Sequence, residues 1–180
     1  MDKAVKEIGL RRILKYVIFG LWQWVFDLLP YSSLRVWWLR FGGAKINKNC
    51  VIDKIYFMNL DRTGLSGLTL GKDCYLGPLV LLDLAGKITL ENQITIAAKS
   101  TILSHHSVGF SDHPLVKFYP KKTFQTILKS GCVLGVASII LPGVTIGRNS
   151  LIAAASLVNK DVPDQVMAAG IPAQVKKKLA

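Results

Sequence analysis

From Leu128 onward an aliphatic side chain recurs every six residues. The blocks read LKSGCV, LGVASI, ILPGVT, IGRNSL, IAAASL and VNKDVP, opening on Leu128, Leu134, Ile140, Ile146, Ile152 and Val158. Each fifth position is small or β-branched: Cys132, Ser138, Val144, Ser150, Ser156 and Val162. Neither the helical period of about 3.6 nor the strand period of about 2 produces that spacing. The pattern also runs upstream. LGKDCY, LGPLVL and LDLAGK open at Leu70, Leu76 and Leu82, and after a slip of two residues LENQIT, IAAKST and ILSHHS open at Leu90, Ile96 and Ile102. A first piece opens at Ile46 with INKNCV and continues at Ile52. Such a repeat predicts an all-β solenoid in which each block is a short strand and a turn, the opening aliphatic points inward, and stacked coils share one core. Gly at the second position (Gly71, Gly77, Gly135, Gly147) and Asn at the fourth (Asn149) are expected to serve the tight turns. The period fails between Asp53 and Thr69, which predicts a loop or irregular coil, and again over VGFSDHPLVKFYPKKTFQT, which predicts a loop at about 107–127 leaving the stack.

The first 43 residues follow another rule. LRRILKYVIFGLWQWVFDLLPY places Leu10, Leu14, Val17, Leu21, Trp24 and Leu28 on one helical face, with Arg11, Lys15, Gln23 and Asp27 on a narrow polar stripe, and Pro30 ends the helix. Ser32 or Ser33 is expected to cap a second helix, LRVWWLRF, that stops at Gly42-Gly43. The uncharged run between Lys15 and Asp27 is too short for a membrane span of ~20 residues, and no small-residue cleavage site of a signal peptide follows it. The chain therefore divides into an amphipathic helical segment at 1–43, a solenoid at 44–163 and an extension at 164–180.

Charge sharpens this picture. The 180 residues carry 23 Lys and Arg against 11 Asp and Glu, a formal charge of +12. Residues 1–48 hold Lys3, Lys6, Arg11, Arg12, Lys15, Arg35, Arg40, Lys45 and Lys48 together with all four tryptophans, Trp22, Trp24, Trp37 and Trp38. Cations mixed with Trp and Leu on helices point to a membrane surface or to packing against the protein or a neighbouring subunit. Stacking platforms for nucleic acid place aromatics on strands among polar neighbours instead, which disfavours that partner. Cys50, Cys74 and Cys132 all fall on the small fifth position and lack CxxC spacing, so they read as buried packing residues of a protein in a reducing cytoplasm, peripheral to the inner face of the membrane.

The repeat, with the closing stretch ILPGVTIGRNSLIAAASLVNKDVPDQVMAAGIPAQVKKK, resembles the hexapeptide-repeat acyltransferases, whose fold is a left-handed parallel β-helix. The pattern is most similar to the maltose, galactoside and nodulation-factor O-acetyltransferases and to O-acetyltransferases of surface polysaccharides. The resemblance implies a homotrimer with active sites between subunits, acetyl-CoA as co-substrate and no metal. It also implies direct attack of an acceptor hydroxyl on the thioester, with a histidine as general base. That base sits just past an inward aliphatic where a loop leaves the prism, which here is Ile102, so the match falls on His106 or His105, with His106 placed first. The imidazole suits the task chemically. Ser107 and Gly109 are candidates for backbone donors to the developing oxyanion. Val136 and Ala154 match positions on the pantetheine arm, Asn159 and Lys160 match the pair at the nucleotide end, and Lys177 matches a cation near the 3′-phosphate.

The chain also departs from the family. Leu79 stands where sugar acetyltransferases hold their acceptor with Asn, leaving Asp83, and His113 on the loop, as candidates to meet the acceptor. With the Trp-rich N-terminus this points away from free galactoside or maltose and towards a saccharide hydroxyl of a lipid-linked or cell-surface glycan. Alternatives are a same-fold transferase for an amino sugar, an antibiotic or serine, a non-catalytic membrane scaffold, and a γ-type carbonic anhydrase. The last needs three histidines on zinc from separate coils, which the adjacent pair His105-His106 disfavours.

Overall fold

A computed structural model describes residues 9–179 of the chain; residues 1–8 of the helical segment, with Lys3 and Lys6, and the final Ala180 lie outside the described residues. Three parallel sheets stack five coils into a triangular prism. The first face is built from Lys45–Ile46, Leu68–Leu70, Ile88–Leu90, Thr126–Leu128 and Thr145–Ile146. The second runs from Val51–Ile52 through Tyr75–Leu76, Thr95–Ile96, Val133–Leu134 and Leu151–Ile152. The third holds Tyr56–Met58, Leu81–Asp83, Thr101–Ile102, Ile139–Ile140 and Leu157–Val158. The strands are in register, so Leu134 lies between Ile96 and Ile152, and Ile140 between Ile102 and Val158.

The opening aliphatics form the core as their spacing predicts. Leu76, Leu82, Leu90, Ile96, Ile102, Leu128, Leu134, Ile140, Ile146 and Ile152 are all fully buried, each worth roughly 1.5–3 kcal/mol relative to exposure. Cys74 and Cys132 are buried at the corners beside them, Cys50 is half-buried, and all three are free thiols. Burial pushes the Cys132 thiol up to about 11.

The two turn positions serve separate purposes. Asn49, Asp73, Gln93 and Asn149, at fourth positions, are in the left-handed region with φ between 52° and 58°. The second-position glycines have another cause. A Cβ on Gly135 would lie 2.5 Å from the Ala154 nitrogen, and one on Gly147 would lie 2.3 Å from the Pro163 carbonyl carbon. Close stacking of the next coil, not a left-handed turn, therefore requires glycine there.

The segment after Asp53 corrects the expected loop. The turn after Ile52 is one residue short, so the inward position falls on Phe57, which pairs with Leu82 on the third face. Only the stretch beyond Met58 leaves the prism, through a short helix at Leu60–Thr63 and a 3₁₀ turn at Leu65–Gly67.

The helices are α1, Leu10–Leu28, and α2, Ser32–Phe41. Val36 and Leu39 of α2 join the core with Ile46 and Ile52 and cover the open end of the first coils. The expected serine cap is absent: Tyr31 occupies the cap position without a side-chain bond, and the Ser32 hydroxyl instead accepts the Ile52 N–H at 2.7 Å. On α1 the sides are inverted relative to a core-packed helix. Its polar side faces the protein, with Gln23 donating to the Ile55 carbonyl at 3.1 Å, Lys15 to the Asp61 carbonyl at 3.3 Å, and Arg12 paired with the Asp61 carboxylate. Trp22 stacks there on Phe26 and Trp38, and Phe26 meets Phe57 edge to face. Leu10, Leu14, Val17, Leu21, Trp24 and Leu28 are each more than half exposed, as are Trp37 and Phe41 of α2. No helix among the described residues is long and apolar enough to cross a membrane.

At the other end, Val166–Gly170 extends the second face and Ala173–Lys178 folds back antiparallel to it. Exposed Lys176, Lys177 and Lys178 on that outer strand keep the sheet edge in water.

Candidate active site

The corner where the third face turns into the first is wider than the other corners. After Asp83 the chain uses Leu84, Ala85, Gly86 and Lys87 before Ile88 resumes the core, which is the two-residue slip visible in the sequence. One coil on, the chain leaves Ile102, passes Leu103 and Ser104, and forms a two-stranded antiparallel ribbon in which His105 faces Thr123 and His106 faces Lys122. That ribbon closes the excursion over residues 107–121. Adjacent residues on a strand point to opposite sides, so the two histidines have different surroundings.

His105 points back to the prism. Its Nδ1 lies 2.6 Å from Oδ2 of Asp83, and its side chain is 16% exposed. Asp83 is fully buried. Its Oδ2 also accepts from the Ser104 N–H at 2.9 Å and the Ser104 hydroxyl at 3.1 Å; its Oδ1 accepts from Asn59 Nδ2 at 2.7 Å and the Ala85 N–H at 3.2 Å. Burial works against ionisation of this carboxyl, but the donors from His105, Ser104 and Asn59 outweigh it and hold its pKa below the ordinary value. A carboxylate acceptor fixes the proton of neutral His105 on Nδ1, which leaves the lone pair on Nε2. Asp83 is expected from the sequence to meet the acceptor. In the structure its oxygens are taken up by the protein and it touches His105 instead.

His106 faces outward. Its Nε2 lies 3.0 Å from the Pro120 carbonyl, so that nitrogen carries the proton, and its ring packs against Phe124 at 5.4 Å. His113 is exposed on the loop, where its Nδ1 accepts the Leu115 N–H at 3.1 Å and caps the 3₁₀ turn Pro114–Lys117. The Gly109 N–H is turned onto the Ser107 hydroxyl at 3.3 Å.

The residues matched to the donor fall in three places. Asn159 and Lys160 are exposed on the same corner column as His105, two coils further along. Val136 and Ala154 stack on the neighbouring corner between the second and third faces, tied by the Ala155 N–H to the Val136 carbonyl at 2.8 Å. Lys177 stands on the outer strand opposite Met167. Asn59 and Ser104, which complete the Asp83 site, were missed in the sequence: Asn59 lies in the aperiodic stretch with φ 56°, and Ser104 looks like any other turn residue. Among the described residues no group of three His, Cys, Asp or Glu side chains is placed to hold a metal ion.

No protein-family model matches the chain. Individual relatives do. The galactoside O-acetyltransferase of Lactococcus lactis subsp. lactis is 29% identical over 140 residues, covering 76% of this chain and 63% of that protein. WcaF of Escherichia coli K12, named for a proposed role as a colanic acid biosynthesis acetyltransferase, is 34% identical over 141 residues, covering 78% of this chain and 72% of WcaF. The hexapeptide-repeat-containing acetyltransferase VCA0836 of Vibrio cholerae, solved with acetyl coenzyme A, superposes with a TM-score of 0.76 at 21% identity over 100% of this chain and 93% of that one. With the repeat, the prism and the relatives in agreement, the chain belongs to the hexapeptide-repeat acetyltransferases, and its solenoid is that family's left-handed parallel β-helix.

Proposed function

We propose that the protein transfers an acetyl group from acetyl-CoA to a hydroxyl of a saccharide, in the synthesis of a lipid-linked or cell-surface glycan, with His105 as general base. The observation that carries this reading is the 2.6 Å contact from His105 Nδ1 to the buried, fully hydrogen-bonded Asp83 carboxylate. It leaves Nε2 as proton acceptor beside the mouth of a loop, on a fold whose relatives are named as acetyltransferases of galactosides and of colanic acid. His106, placed first on the sequence alone, has its Nε2–H committed to a carbonyl and serves better as a wall of the site.

Acetyl-CoA supplies the activated acetyl thioester. The small, exposed Ala154 and the apolar Val136 suit the approach of a flexible arm along a corner, and exposed Lys160 and Lys177 suit phosphate charge. Val136 and Ala154 stand at the other end of the third face from His105, and Lys177 lies on the outer strand of the second face, which favours a groove shared between subunits of a homotrimer. His105 Nε2 takes the proton of the acceptor hydroxyl as its oxygen attacks and returns it to the leaving sulfur, while Asp83 holds the ring and offsets its transient positive charge. Thiol release from acetyl-CoA should rise on adding galactoside-containing glycan and stay at background without it. No dependence on any saccharide, with coenzyme A still bound, would overturn the saccharide assignment.

We infer further that the outward face of α1 and α2 lies in the interface of an anionic membrane. Leu14, Leu21, Trp24 and Trp37 present the apolar, Trp-bearing surface, with Arg11 exposed alongside, that such a surface attracts. Full-length protein should sediment with vesicles containing phosphatidylglycerol and not with pure phosphatidylcholine. The Leu14→Glu, Leu21→Glu, Trp24→Glu variant should remain in the supernatant with an unchanged melting temperature. Wild-type protein that ignores the vesicles, or a variant whose trimer dissociates, would instead assign the face to subunit contact.

A further inference from the structure

The three free thiols stand in one column, at the corner between the first and second faces. Parallel register sets their neighbours. Val51 pairs with Tyr75 and Tyr75 with Thr95, so Cys50 lies beside Cys74 and Cys74 beside Ile94. Val133 pairs with both Thr95 and Leu151, so Cys132 lies between Ile94 and Ser150. Cys50 and Cys74 are therefore adjacent, and Ile94 separates them from Cys132. This corner carries neither His105 nor Val136 and Ala154.

The coils are tied on both sides of the pair. The Asp73 N–H donates to the Lys48 carbonyl at 3.1 Å, Asn49 Nδ2 to Asp73 Oδ1 at 3.0 Å, and the Val51 N–H to the Cys74 carbonyl at 2.8 Å. Neighbouring strands are about 4.8 Å apart, inside the roughly 4.4–6.8 Å that separates the Cα atoms of a disulfide. Both sulfurs approach one oxygen, the Gly71 carbonyl, Cys50 Sγ at 3.1 Å and Cys74 Sγ at 3.7 Å.

The two thiols differ in character. Cys74 is buried, whereas Cys50, in the first coil, is half-buried and open to small solutes. Hydrogen bonding from Cys74 and the positive charge of Arg40 draw the Cys50 thiol below its ordinary pKa against the cost of burial, while Cys50 and burial push the Cys74 thiol up. A reachable sulfur that ionises first, beside a buried one that keeps its proton, is the arrangement of an attacking thiolate and a resolving thiol.

We propose that Cys50 and Cys74 form a peroxide-sensitive pair that closes into a disulfide and straps the first coil to the second. The Cys50 sulfur attacks one oxygen of hydrogen peroxide, the O–O bond breaks, and the other oxygen leaves as water with the thiol proton. Cys50 is then a sulfenic acid. The Cys74 sulfur displaces that oxygen, giving up its own proton, and a second water leaves as the S–S bond forms. The pair is oxidised by two electrons and the peroxide is reduced by the same two. The bond closes the segment that contains Asn59 and the short helix Leu60–Thr63, the part of the early coils outside the regular repeat.

Peptide mass spectrometry on full-length protein, treated with hydrogen peroxide and alkylated after unfolding, tests this. Two of the three thiols should be lost together, as a linked Cys50–Cys74 peptide lighter by two hydrogens, with Cys132 alkylated as before. The melting temperature should rise by roughly 5–10 °C, and dithiothreitol should reverse the rise. Serine already fills the same position of the repeat at Ser138, Ser150 and Ser156, so serine variants should fold. Cys74→Ser should halt at the sulfenic acid and carry a dimedone adduct on Cys50. Cys132→Ser should form the disulfide as the wild type does. Peroxide that leaves all three thiols free, a linkage through Cys132 or between subunits, or a Cys74→Ser variant without the adduct on Cys50 overturns the proposal.

Discussion

His105→Ala is expected to lower acetyl transfer by about 10²–10⁴, the usual contribution of a positioned general base, with the affinity for coenzyme A unchanged. The geometry requires the loss to fall on turnover. Nε2 of His105 is the ring nitrogen whose lone pair the Asp83 contact leaves available, and removing the ring deletes the proton acceptor without touching the exposed positions matched to the donor. His106→Ala should stay close to the wild-type rate, because that ring holds the Pro120 carbonyl and Phe124 on the loop side; its effect should appear as a raised KM for the acceptor. Steady-state thiol release over a range of saccharide concentrations separates the two. A His105→Ala enzyme with normal turnover beside a dead His106→Ala enzyme would reverse the assignment and require the ribbon to flip on binding substrate.

The period of six made the prism legible because each inward aliphatic is buried for the same reason in every coil; Leu134 and Ile152 needed no tertiary information to be placed. The corner of the prism that carries the candidate site is marked in the sequence, since the repeat breaks there twice, as the slip after Asp83 and as the loop after Ile102. Which histidine faces inward is not. Neighbours on a strand point oppositely, and a choice between them depends on Asp83, 22 residues away along the chain, which comes into contact only because the coils stack in register. Asn59 was hidden for a related reason: the shortened turn after Ile52 disguises the strand Tyr56–Met58, and without that strand nothing puts Asn59 beside Asp83. On α1 the sequence marked both faces correctly but not their direction. An apolar stripe normally seeks the core, whereas here Gln23, Lys15 and Arg12 have partners on the protein and the stripe is left outside.

Asp83→Asn should cost nearly as much turnover as loss of the base, on the order of 10²–10⁴, and for a different reason. An amide in place of the carboxylate can still accept from the Ser104 N–H or from Asn59, but one of its ends is now a donor. Turned to His105, that donor would face Nδ1 and drive the ring proton to Nε2, where it blocks removal of a proton from the acceptor hydroxyl. Asp83→Ala adds a stability penalty, since the Ser104 N–H and the Asn59 amide lose their buried acceptor at about 1–3 kcal/mol per group. Acid should reveal the same interactions in the unmodified enzyme. The Asp83 carboxyl is held below its ordinary pKa by its donors despite burial. Its contribution to stability is therefore complete above the unfolded carboxyl value of about 4 and is lost as pH falls through the lower, folded value. The difference in melting temperature between wild type and Asp83→Asn should shrink as pH falls below about 4. A difference that widens below about pH 4 would mean that Asp83 is protonated in the folded enzyme, and the fixed Nδ1–H tautomer of His105 would fall with it.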